Sequence, residues 1–363
     1  MSWYIEEQEP VYLDYNATTP LDPSVKTAIT AGLELWANPA SGNPIALKAR
    51  EEIEKARKSL AELLHVTGDE VIFTSGGTEG NNWVIRSAVE KFKREHPNQT
   101  PHIICSAVEH PSILEPLHHL KDNGEIEISV LPIDPKTGQI TASDALQLVT
   151  PSTCLVTVML ANNETGVLQP ISDLSDFVRK ASAKHDEQRL CPSKTNFFGI
   201  ARSIKFDSNA IYSGTTVLLH SDATQAIGKI DVNLAELKVD AITIAGHKFY
   251  GPRNGALILR SKYTSDILPW MHGGGQEKKL RSGCKTFYAS SGSACHSGAI
   301  SPVLLACGIS KEMAERTVRF SFGRETTNED VDRVVKELKA MMFLAKHGSS
   351  LMNVINAGPV PGF

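Results

Sequence analysis

A lysine within the stretch "ITIAGHKFYGPRNGALIL", residues 242–259, is the first residue whose type and position suggest chemistry. Apolar runs begin and end this stretch, and Lys248 follows a small hinge, Ala245-Gly246, in its middle. A lysine at the end of a buried strand is costly unless it is paired or neutral. A buried lysine with a lowered pKa is a nucleophile that forms Schiff bases with carbonyl groups. Lys248 is therefore a candidate for covalent chemistry.

Other polar residues follow apolar runs, and each of them also has a simpler interpretation. The glycine-rich turn at 74–82, "TSGGTEGNN", leads into a helical segment and could bind phosphate, or could be an ordinary strand-to-helix turn. His110 ends "VEH", where a lone histidine is more often a core residue. The stretch 161–166, "ANNETG", fits plain turn chemistry. Asp222, within "HSDATQAIGK", could serve as a cap.

Taken jointly, these residues match the requirements of one cofactor. Pyridoxal phosphate needs a lysine, a phosphate cradle, an acid beside its pyridine nitrogen and an aromatic lid. Lys248, the 74–82 turn, Asp222 and His110 supply one candidate for each requirement. Asp222 would keep the pyridine ring protonated, which makes the ring an electron sink. The sequence therefore predicts a pyridoxal phosphate site.

Helical and strand patterns alternate along the chain and would position these residues. Helical spacing is found at 45–64, 81–95, 143–149 and 173–184. Apolar runs typical of strands are found at 71–77, 102–110, 126–133, 154–163, 216–225 and 240–248. This alternation predicts an α/β fold with a mostly parallel sheet covered by helices. In such sheets ligands bind at the carboxyl ends of strands, where the candidate residues lie.

Composition limits the possible partners and compartment. The chain has 363 residues, a net charge of −4 and no long run of Lys or Arg, so neither nucleic acid nor a membrane surface is expected as partner. Its apolar runs are far shorter than the roughly 18 residues of a membrane span. The acidic start "MSWYIEEQEP" lacks the features of a targeting signal. Six scattered cysteines without CxxC spacing predict reduced thiols in the cytosol and no zinc site.

Several motifs occur in the order seen in class V aminotransferase-fold enzymes. They are "YLDYNATTPLDPSV", "IFTSGGTEGNN", "VEHPSI", "MLANNETGVLQP", "HSDATQAIGK", "GHKFYGPRNGAL", "GGGQE", "SSGSACHSG" and "VRFSFGRETT". As a set they resemble the cysteine desulfurase and selenocysteine lyase group, and the match covers most of residues 11–345. "VYLDYNATTPL", "MLANNETG" and "GHKFYGPR" look closest to the animal selenocysteine lyases. The resemblance implies a fold type I enzyme that depends on pyridoxal phosphate.

The resemblance implies a role for each candidate at the cofactor. Lys248 would hold the cofactor as a Schiff base, His110 would stack on its ring, and Asp222 would pair with the pyridinium nitrogen. Four more residues would also contact the cofactor: Gly77, Thr78 and His247 at its phosphate, and Gln225 at its ring hydroxyl.

The resemblance also implies residues for the substrate. Asn163 would contact the cofactor and, with Arg319, the substrate carboxylate, for which a guanidinium fork is suited. Cys295 would be the mobile nucleophile or acid that meets the departing chalcogen, although an inert buried thiol is the simpler interpretation. Lys248, Cys295 and His110 are thus the predicted catalytic residues.

Three functions are consistent with these residues. The first is a lyase that cleaves L-selenocysteine to L-alanine and selenide. The second is a cysteine desulfurase that leaves a persulfide on Cys295 and passes sulfur to an acceptor protein. The third is a truncated, non-catalytic isoform that binds a full-length subunit. The resemblance further implies a homodimer that acts on a small amino-acid substrate.

The chain departs from the family pattern in three places. "RSGC" runs almost directly into "KTFYASSGSAC", so a block the size of a small domain is missing, and Cys284 replaces a threonine that normally reaches the partner subunit's phosphate. Residues 191–215 have no recognisable counterpart, as expected of an insertion or a splice variant. Pro111 stands where the animal lyases are expected to have an aspartate, which weakens the case for strict selenium preference.

These departures shape the predicted domain organisation. The prediction comprises four parts: an N-terminal arm at 1–20, a large cofactor-binding domain at 21–280, a truncated small α+β domain at 281–345 and a loose tail at 346–363. The missing block would expose apolar surface and remove support from the loop that carries Cys295.

Overall fold

A computed structural model describes residues 13–190, 217–263, 267–271, 276–277, 281 and 310–315, together with several positions from 327 to 339. The predicted insertion at 191–215, the tail, and the residues Cys284, Cys295 and Arg319 lie outside the described residues. The chain divides into two compact units, Met1–Ser290 with Ala294–Ala299, and Ser291–Ser293 with Ile300–Phe363. The predicted domain boundaries stay predictions.

The described strands form one seven-stranded sheet. They are β1 (Val71–Thr74), β2 (His102–Ser106), β3 (Glu127–Leu131), β4 (Thr153–Thr157), β5 (Leu218–Asp222), β6 (Ala241–Ala245) and β7 (Gly255–Leu259). Their order across the sheet is β1-β7-β6-β5-β4-β2-β3. Strand β7 pairs antiparallel with both neighbours, whereas the other four pairings are parallel. Six of these strands therefore end at the same edge of the sheet.

Apolar residues alternate between two core clusters, one for each face of the sheet. Successive residues of a strand point to opposite faces. Ile104, Val156, Leu219 and Ile258 belong to one cluster. Their preceding neighbours Ile103, Leu155, Leu218 and Leu257 belong to the other. Burial on both faces explains why these strands are continuous apolar runs.

Eight α-helices lie within the described residues, seven in the first compact unit and one, α8, in the second. They are α1 (Pro23–Leu33), α2 (Pro44–Leu63), α3 (Gly77–Glu95), α4 (Pro111–Asp122), α5 (Ala145–Leu148), α6 (Ile171–Leu190), α7 (Leu234–Leu237) and α8 (Lys311–Glu315). Asn43 caps α2 by accepting the N–H of Ala46, and Pro44 occupies the first helical position, where proline loses no hydrogen bond. None of the described helices is both long and apolar enough to cross a membrane.

Helix α3 lies close to the sheet because one of its residues has no side chain. A Cβ added at Gly80 would meet Thr243 Cγ2 at 2.8 Å and Thr243 Oγ1 at 3.0 Å. Thr243 belongs to β6, which ends three residues before Lys248. The close approach brings the start of α3 to the edge where β5 and β6 end.

The predicted α/β fold with a mostly parallel sheet is confirmed. Several predicted strands run past their observed ends, and the runs at 216–225 and 240–248 end as strands at Asp222 and Ala245. The apolar run at 102–110 forms a strand only as far as Ser106, because the chain turns at Ala107 and Val108 before His110 caps α4, a helix that was not predicted. The run at 154–163 likewise ends as a strand at Thr157 and continues into a turn.

Candidate active site

A cleft of about 610 Å³, including its open mouth, lies where the parallel strands end. Eight of the ten predicted site residues line it: Gly77, Thr78, His110, Asn163, Asp222, Gln225, His247 and Lys248. Asn81, Ser112, Met159 and Thr224 line it as well, although the sequence did not single them out. Cys295 and Arg319 lie outside the described residues, so their places in this site stay predictions.

The start of helix α3 forms one wall of the cleft. Gly76 caps the helix without a side-chain hydrogen bond, and Gly77 and Thr78 open its first turn. A Cβ at Gly77 would lie 3.2 Å from Thr224 Oγ1, so a larger residue would crowd the opposite wall. The N–H groups of a first turn have no partner within the helix, and the helix dipole favours an anion there. The turn therefore has the character of a phosphate cradle.

An ion pair between the buried Glu79 and Arg281 stabilises this turn. Glu79 Oε2 accepts the N–H of Ser75 at 2.7 Å, and both carboxylate oxygens of Glu79 accept from Arg281, at 2.6 and 3.0 Å. Burial alone would raise the pKa of Glu79, but the hydrogen bonds from Arg281 and Ser75 lower it below its ordinary value. A second bidentate pair joins Glu277 to Arg57, at 2.8 and 3.1 Å. Arg281 thus neutralises a carboxylate that would otherwise face an anion at the helix start.

Asp222 is the last residue of β5 and is only 6% exposed. Its Oδ2 accepts from Asn81 Nδ2 at 2.8 Å, and its Oδ1 accepts from the N–H of Thr224 at 2.9 Å. Both partners are uncharged donors. Within the described part of the chain, no Lys or Arg forms an ion pair with this carboxylate. Asp222 can therefore pair with a protonated ring nitrogen of a ligand.

Lys248 ends a short 3-10 turn, Gly246–Lys248, directly after β6. Its Nζ donates to the backbone oxygens of Asn16 at 2.6 Å and Ala17 at 3.0 Å. The side chain leaves the strand end and is partly buried. Desolvation nevertheless lowers the pKa of Lys248, and the charge of Lys229 lowers it further. The amine is thus held by neutral acceptors and shifted toward its nucleophilic form.

His247 attaches the N-terminal arm to the same turn. Its Nδ1 lies 3.1 Å from Thr18 Oγ1, and its carbonyl oxygen accepts the N–H of Thr19 at 2.9 Å. Burial lowers the pKa of His247, and the charges of Lys248 and Arg253 lower it further. A neutral imidazole at this place can donate one hydrogen bond to a phosphate.

His110 is the N-cap of α4, and Pro111 occupies the first position of the helix. The Nδ1 of His110 accepts the N–H of Ser112 at 3.1 Å, so the remaining ring proton of the neutral imidazole lies on Nε2. Ser112 Oγ also accepts from Asn81 Nδ2 at 2.8 Å. Asn81 therefore links His110, through Ser112, to Asp222.

The two asparagines in "ANNETG" have different roles: one stabilises the turn, and the other lines the cleft. Asn162 is buried and serves the turn, because its Oδ1 accepts the N–H groups of Glu164 at 3.0 Å and Thr165 at 2.9 Å. Asn163 is partly exposed and lines the cleft. The turn chemistry of one residue presents the other to a ligand.

Gln225 lines the cleft, but its amide is already engaged. Its Nε2 donates to the backbone oxygen of Asn16 at 2.9 Å, and its Oε1 accepts from Lys229 Nζ at 2.7 Å. Gln225 and Lys248 thus share the carbonyl of Asn16 as acceptor. The role of Gln225 at a ring hydroxyl stays a prediction.

Two buried polar atoms at this site have no hydrogen-bond partner within the described part of the chain. They are Asn81 Oδ1 and Thr224 Oγ1, and both residues line the cleft. Buried polar atoms are normally satisfied, so a ligand or water is expected to reach them. The cleft also combines an amine, an acid with uncharged partners, an imidazole and a helix start. These residues fit pyridoxal phosphate in the type and number of their polar groups.

Comparison with known proteins identifies the family. The family described as Aminotransferase class-V matches residues 11–185 and 194–301. A selenocysteine lyase of Bos taurus is 36% identical, with 92% of this chain and 93% of that protein covered. A mitochondrial cysteine desulfurase of Arthroderma benhamiae is 31% identical, over 97% of this chain and 78% of that protein.

One solved structure, of a NifS-like protein, is 33% identical and superimposes with a TM-score of 0.62. The likeness covers 76% of this chain, and the chain spans only 65% of that structure's length. The alignment with the bovine relative has 432 positions, whereas this chain has 363 residues, so at least 69 positions face gaps here. That shortfall is consistent with the predicted loss of an internal block, although the location of the loss stays a prediction. By its family match and its relatives, the chain belongs to the class V aminotransferases.

Proposed function

We propose that this protein is a pyridoxal phosphate-dependent lyase that cleaves L-selenocysteine to L-alanine and selenide. One observation carries the proposal. Lys248, Asp222 and the first turn of α3 line a single cleft. The chain that forms this cleft is 36% identical to a protein named selenocysteine lyase. The acceptor of the selenide, a homodimeric state and a cytosolic location remain part of the proposal.

The residues of the cleft would hold the cofactor at its two ends. Gly77 and Thr78 at the start of α3, together with His247, would bind its phosphate. Asp222 would accept a hydrogen bond from its protonated ring nitrogen, and Lys248 would hold the cofactor covalently through the amine. When bound, pyridoxal phosphate supplies an electron-withdrawing ring that stabilises negative charge at the α-carbon of an amino acid.

The described residues prepare this chemistry in three ways. The backbone oxygens of Asn16 and Ala17 orient the amine of Lys248, and its lowered pKa makes it a better nucleophile and base near neutral pH. Asn81 orients the carboxylate of Asp222 by donating a hydrogen bond to its Oδ2. Ser112 fixes the ring of His110 through Nδ1, so the Nε2 proton is free to be donated.

Three residues would act on the substrate. Asn163 lines the cleft and would donate to the substrate carboxylate, and Arg319 would bind it as a bidentate partner. Cys295 would give a proton to the departing selenium, or attack it. Release of selenide from selenocysteine also takes up two electrons, which a thiol reductant would supply.

Cysteine desulfurase activity is the second candidate, and the Arthroderma benhamiae relative favours it. In that reaction the thiolate of Cys295 would attack the substrate sulfur, forming L-alanine and a Cys295 persulfide. Pro111, which replaces an expected aspartate, also points away from strict selenium preference. The two reactions share the cleft and differ in what Cys295 does.

A non-catalytic role is the third candidate, and the shortened alignment favours it. At least 69 positions of the bovine relative have no counterpart here. The presence of Lys248, Asp222, Cys295 and Arg319 in the sequence argues against it. A non-catalytic chain would bind a full-length subunit without turning over substrate.

A product assay separates these candidates. Purified protein loaded with pyridoxal phosphate is given selenocysteine or cysteine with a thiol reductant, and alanine, selenide and sulfide are measured. The lyase proposal predicts much faster alanine release from selenocysteine than from cysteine. Equal rates would overturn it in favour of desulfuration, which Cys295→Ala should then abolish. A loaded protein that releases no alanine from either substrate would support the non-catalytic role.

A further inference from the structure

Glu109, the residue before His110, is a buried glutamate. Its side chain is buried between the end of β2 and the segment that follows β4, with only 5% of the residue exposed. Its Oε1 accepts from Ser106 Oγ at 2.5 Å and from the N–H of Met159 at 3.0 Å. Ser106 is the last residue of β2, and Met159 lines the cleft. Glu109 therefore joins two strand ends at the edge where the cleft opens.

The second oxygen of this carboxyl group is unsatisfied. Within the described part of the chain, the buried Oε2 of Glu109 has no hydrogen-bond partner. A buried carboxylate with one bare oxygen is far more costly than a buried carboxylic acid. Burial accordingly raises the pKa of Glu109 to about 8, against the hydrogen bonds from Ser106 and Met159. The geometry thus favours the protonated form at neutral pH.

Among the buried titratable groups described here, Asp222 opposes the ionisation of Glu109, and burial favours the uncharged forms of Cys105 and His220. Asp222 on β5 repels a second negative charge and adds to the raised pKa. Cys105 on β2 is a buried thiol whose pKa is raised to about 12 by burial and by Glu109. His220, two residues before Asp222, is buried, and burial lowers its pKa to about 4. His110 adjoins Glu109 in the chain, and the segment after β4 contributes Met159 and Asn162, which do not titrate.

We propose that Glu109 is a positioning residue, an uncharged carboxylic acid that joins the ends of β2 and β4 and adds no second negative charge beside Asp222. This rests on the proposed function in one respect, since the charge of Asp222 serves the ring nitrogen of pyridoxal phosphate. The protonation of Glu109 itself follows from this chain alone and can be measured without cofactor.

The first test is infrared spectroscopy of the cofactor-free protein. A protonated carboxyl group has a C=O stretch well separated from carboxylate bands. The wild-type spectrum minus that of Glu109→Gln should show this stretch at neutral pH and lose it as pH rises through about 8. Glu115→Gln, which changes an exposed acid of α4, is the matched control and should show no such difference. Absence of the acid band at neutral pH would overturn the proposal.

The second test compares two variants of Glu109, one that removes only its ability to carry a charge and one that removes its hydrogen bonds as well. Glutamine is uncharged and keeps an oxygen for Ser106 and Met159, so Glu109→Gln should bind pyridoxal phosphate within about twofold of wild type. Glu109→Ala removes the link between the strands and should bind it more weakly. A loss of tenfold or more in Glu109→Gln would show that the charge is required, which contradicts the proposal. Failure of the wild type to bind pyridoxal phosphate would instead count against the proposed function, while the infrared result still decides the state of Glu109.

Discussion

Asn81 Nδ2 lies 2.8 Å from Asp222 Oδ2, so the second turn of α3 is joined to the end of β5 inside the core. The same amide nitrogen donates to Ser112 Oγ at 2.8 Å, and Ser112 in turn fixes the ring of His110. The acid and the imidazole of the cleft therefore depend on one asparagine. A change at Asn81 should disturb both of them together.

Replacement of Asn81 by aspartate tests this link. Asn81→Asp places a second carboxylate against Asp222 and removes the donor that both Asp222 and Ser112 use. Like charges at hydrogen-bond distance raise the pKa of one partner, so the cleft loses its defined charge. We expect the Kd for pyridoxal phosphate to rise by about tenfold or more. Asn82→Asp, at the neighbouring and partly exposed position, is the control. Equal Kd values for both variants would remove the assigned role of Asn81.

Addition of one methyl group at Gly80 tests the contact between α3 and the sheet. The new Cβ would lie 2.8 Å from Thr243 Cγ2, so α3 or β6 must shift. We expect Gly80→Ala to lower the free energy of unfolding by about 1–3 kcal/mol, despite the better helix propensity of alanine. Chemical denaturation measures this.

Two further variants make that test specific. Gly32→Ala changes a helical glycine with nothing within 4 Å of its added Cβ and should not destabilise the protein. Thr243→Ser removes the methyl group that clashes and should recover part of the loss in the double variant. An undiminished loss in the double variant would place the strain somewhere other than Thr243.

The ion pair behind the phosphate turn gives a third prediction. Arg281→Gln leaves the buried carboxylate of Glu79 without its cation in the first turn of α3, where it opposes a bound anion. We expect weaker binding of pyridoxal phosphate, and we expect Glu79→Gln to restore most of it in the double variant. A double-mutant cycle measured by equilibrium binding gives the coupling. Additive effects of the two substitutions would contradict this account.

The pH dependence of stability follows from the raised pKa of Glu109. The group binds a proton in the folded state up to about pH 8, whereas 4.5 is its ordinary value in the unfolded chain. Its contribution is therefore fully present below 4.5 and is lost as pH rises toward 8. The melting temperature of Glu109→Gln minus that of wild type should grow across this window and then level off. A constant difference would mean that Glu109 does not take up a proton on folding.

The α/β fold could be predicted because its signals are local. Strands buried on both faces are continuous apolar runs, such as 241–245, and amphipathic helices show their period within one segment, such as 45–64. The end of β2 was missed because "VEH" continues an apolar run without a break. His110 ends that run by capping the next helix, which a residue-by-residue pattern does not reveal.

The sequence was enough to predict which residues form the candidate site, but not which hydrogen-bond partners those residues have. Polar or glycine-rich segments are easy to recognise when they directly follow an apolar run, as Lys248, Asp222 and the turn before α3 do. The partners of Lys248 are backbone oxygens of Asn16 and Ala17, more than two hundred residues earlier, and no sequence pattern announces them. Asn81 had one available signal, since it lies one turn after Gly77 on the same face of a helix.

Lys248 is proposed to hold pyridoxal phosphate in this cleft. The most direct test is the visible absorbance spectrum of the purified protein after addition of pyridoxal phosphate, beside that of Lys248→Ala. The wild type should show an absorbance band that borohydride bleaches while attaching the cofactor irreversibly to the chain, and the folded variant should show no such band. A wild-type chain that folds yet shows no Lys248-dependent band would mean that Lys248 does not bind pyridoxal phosphate.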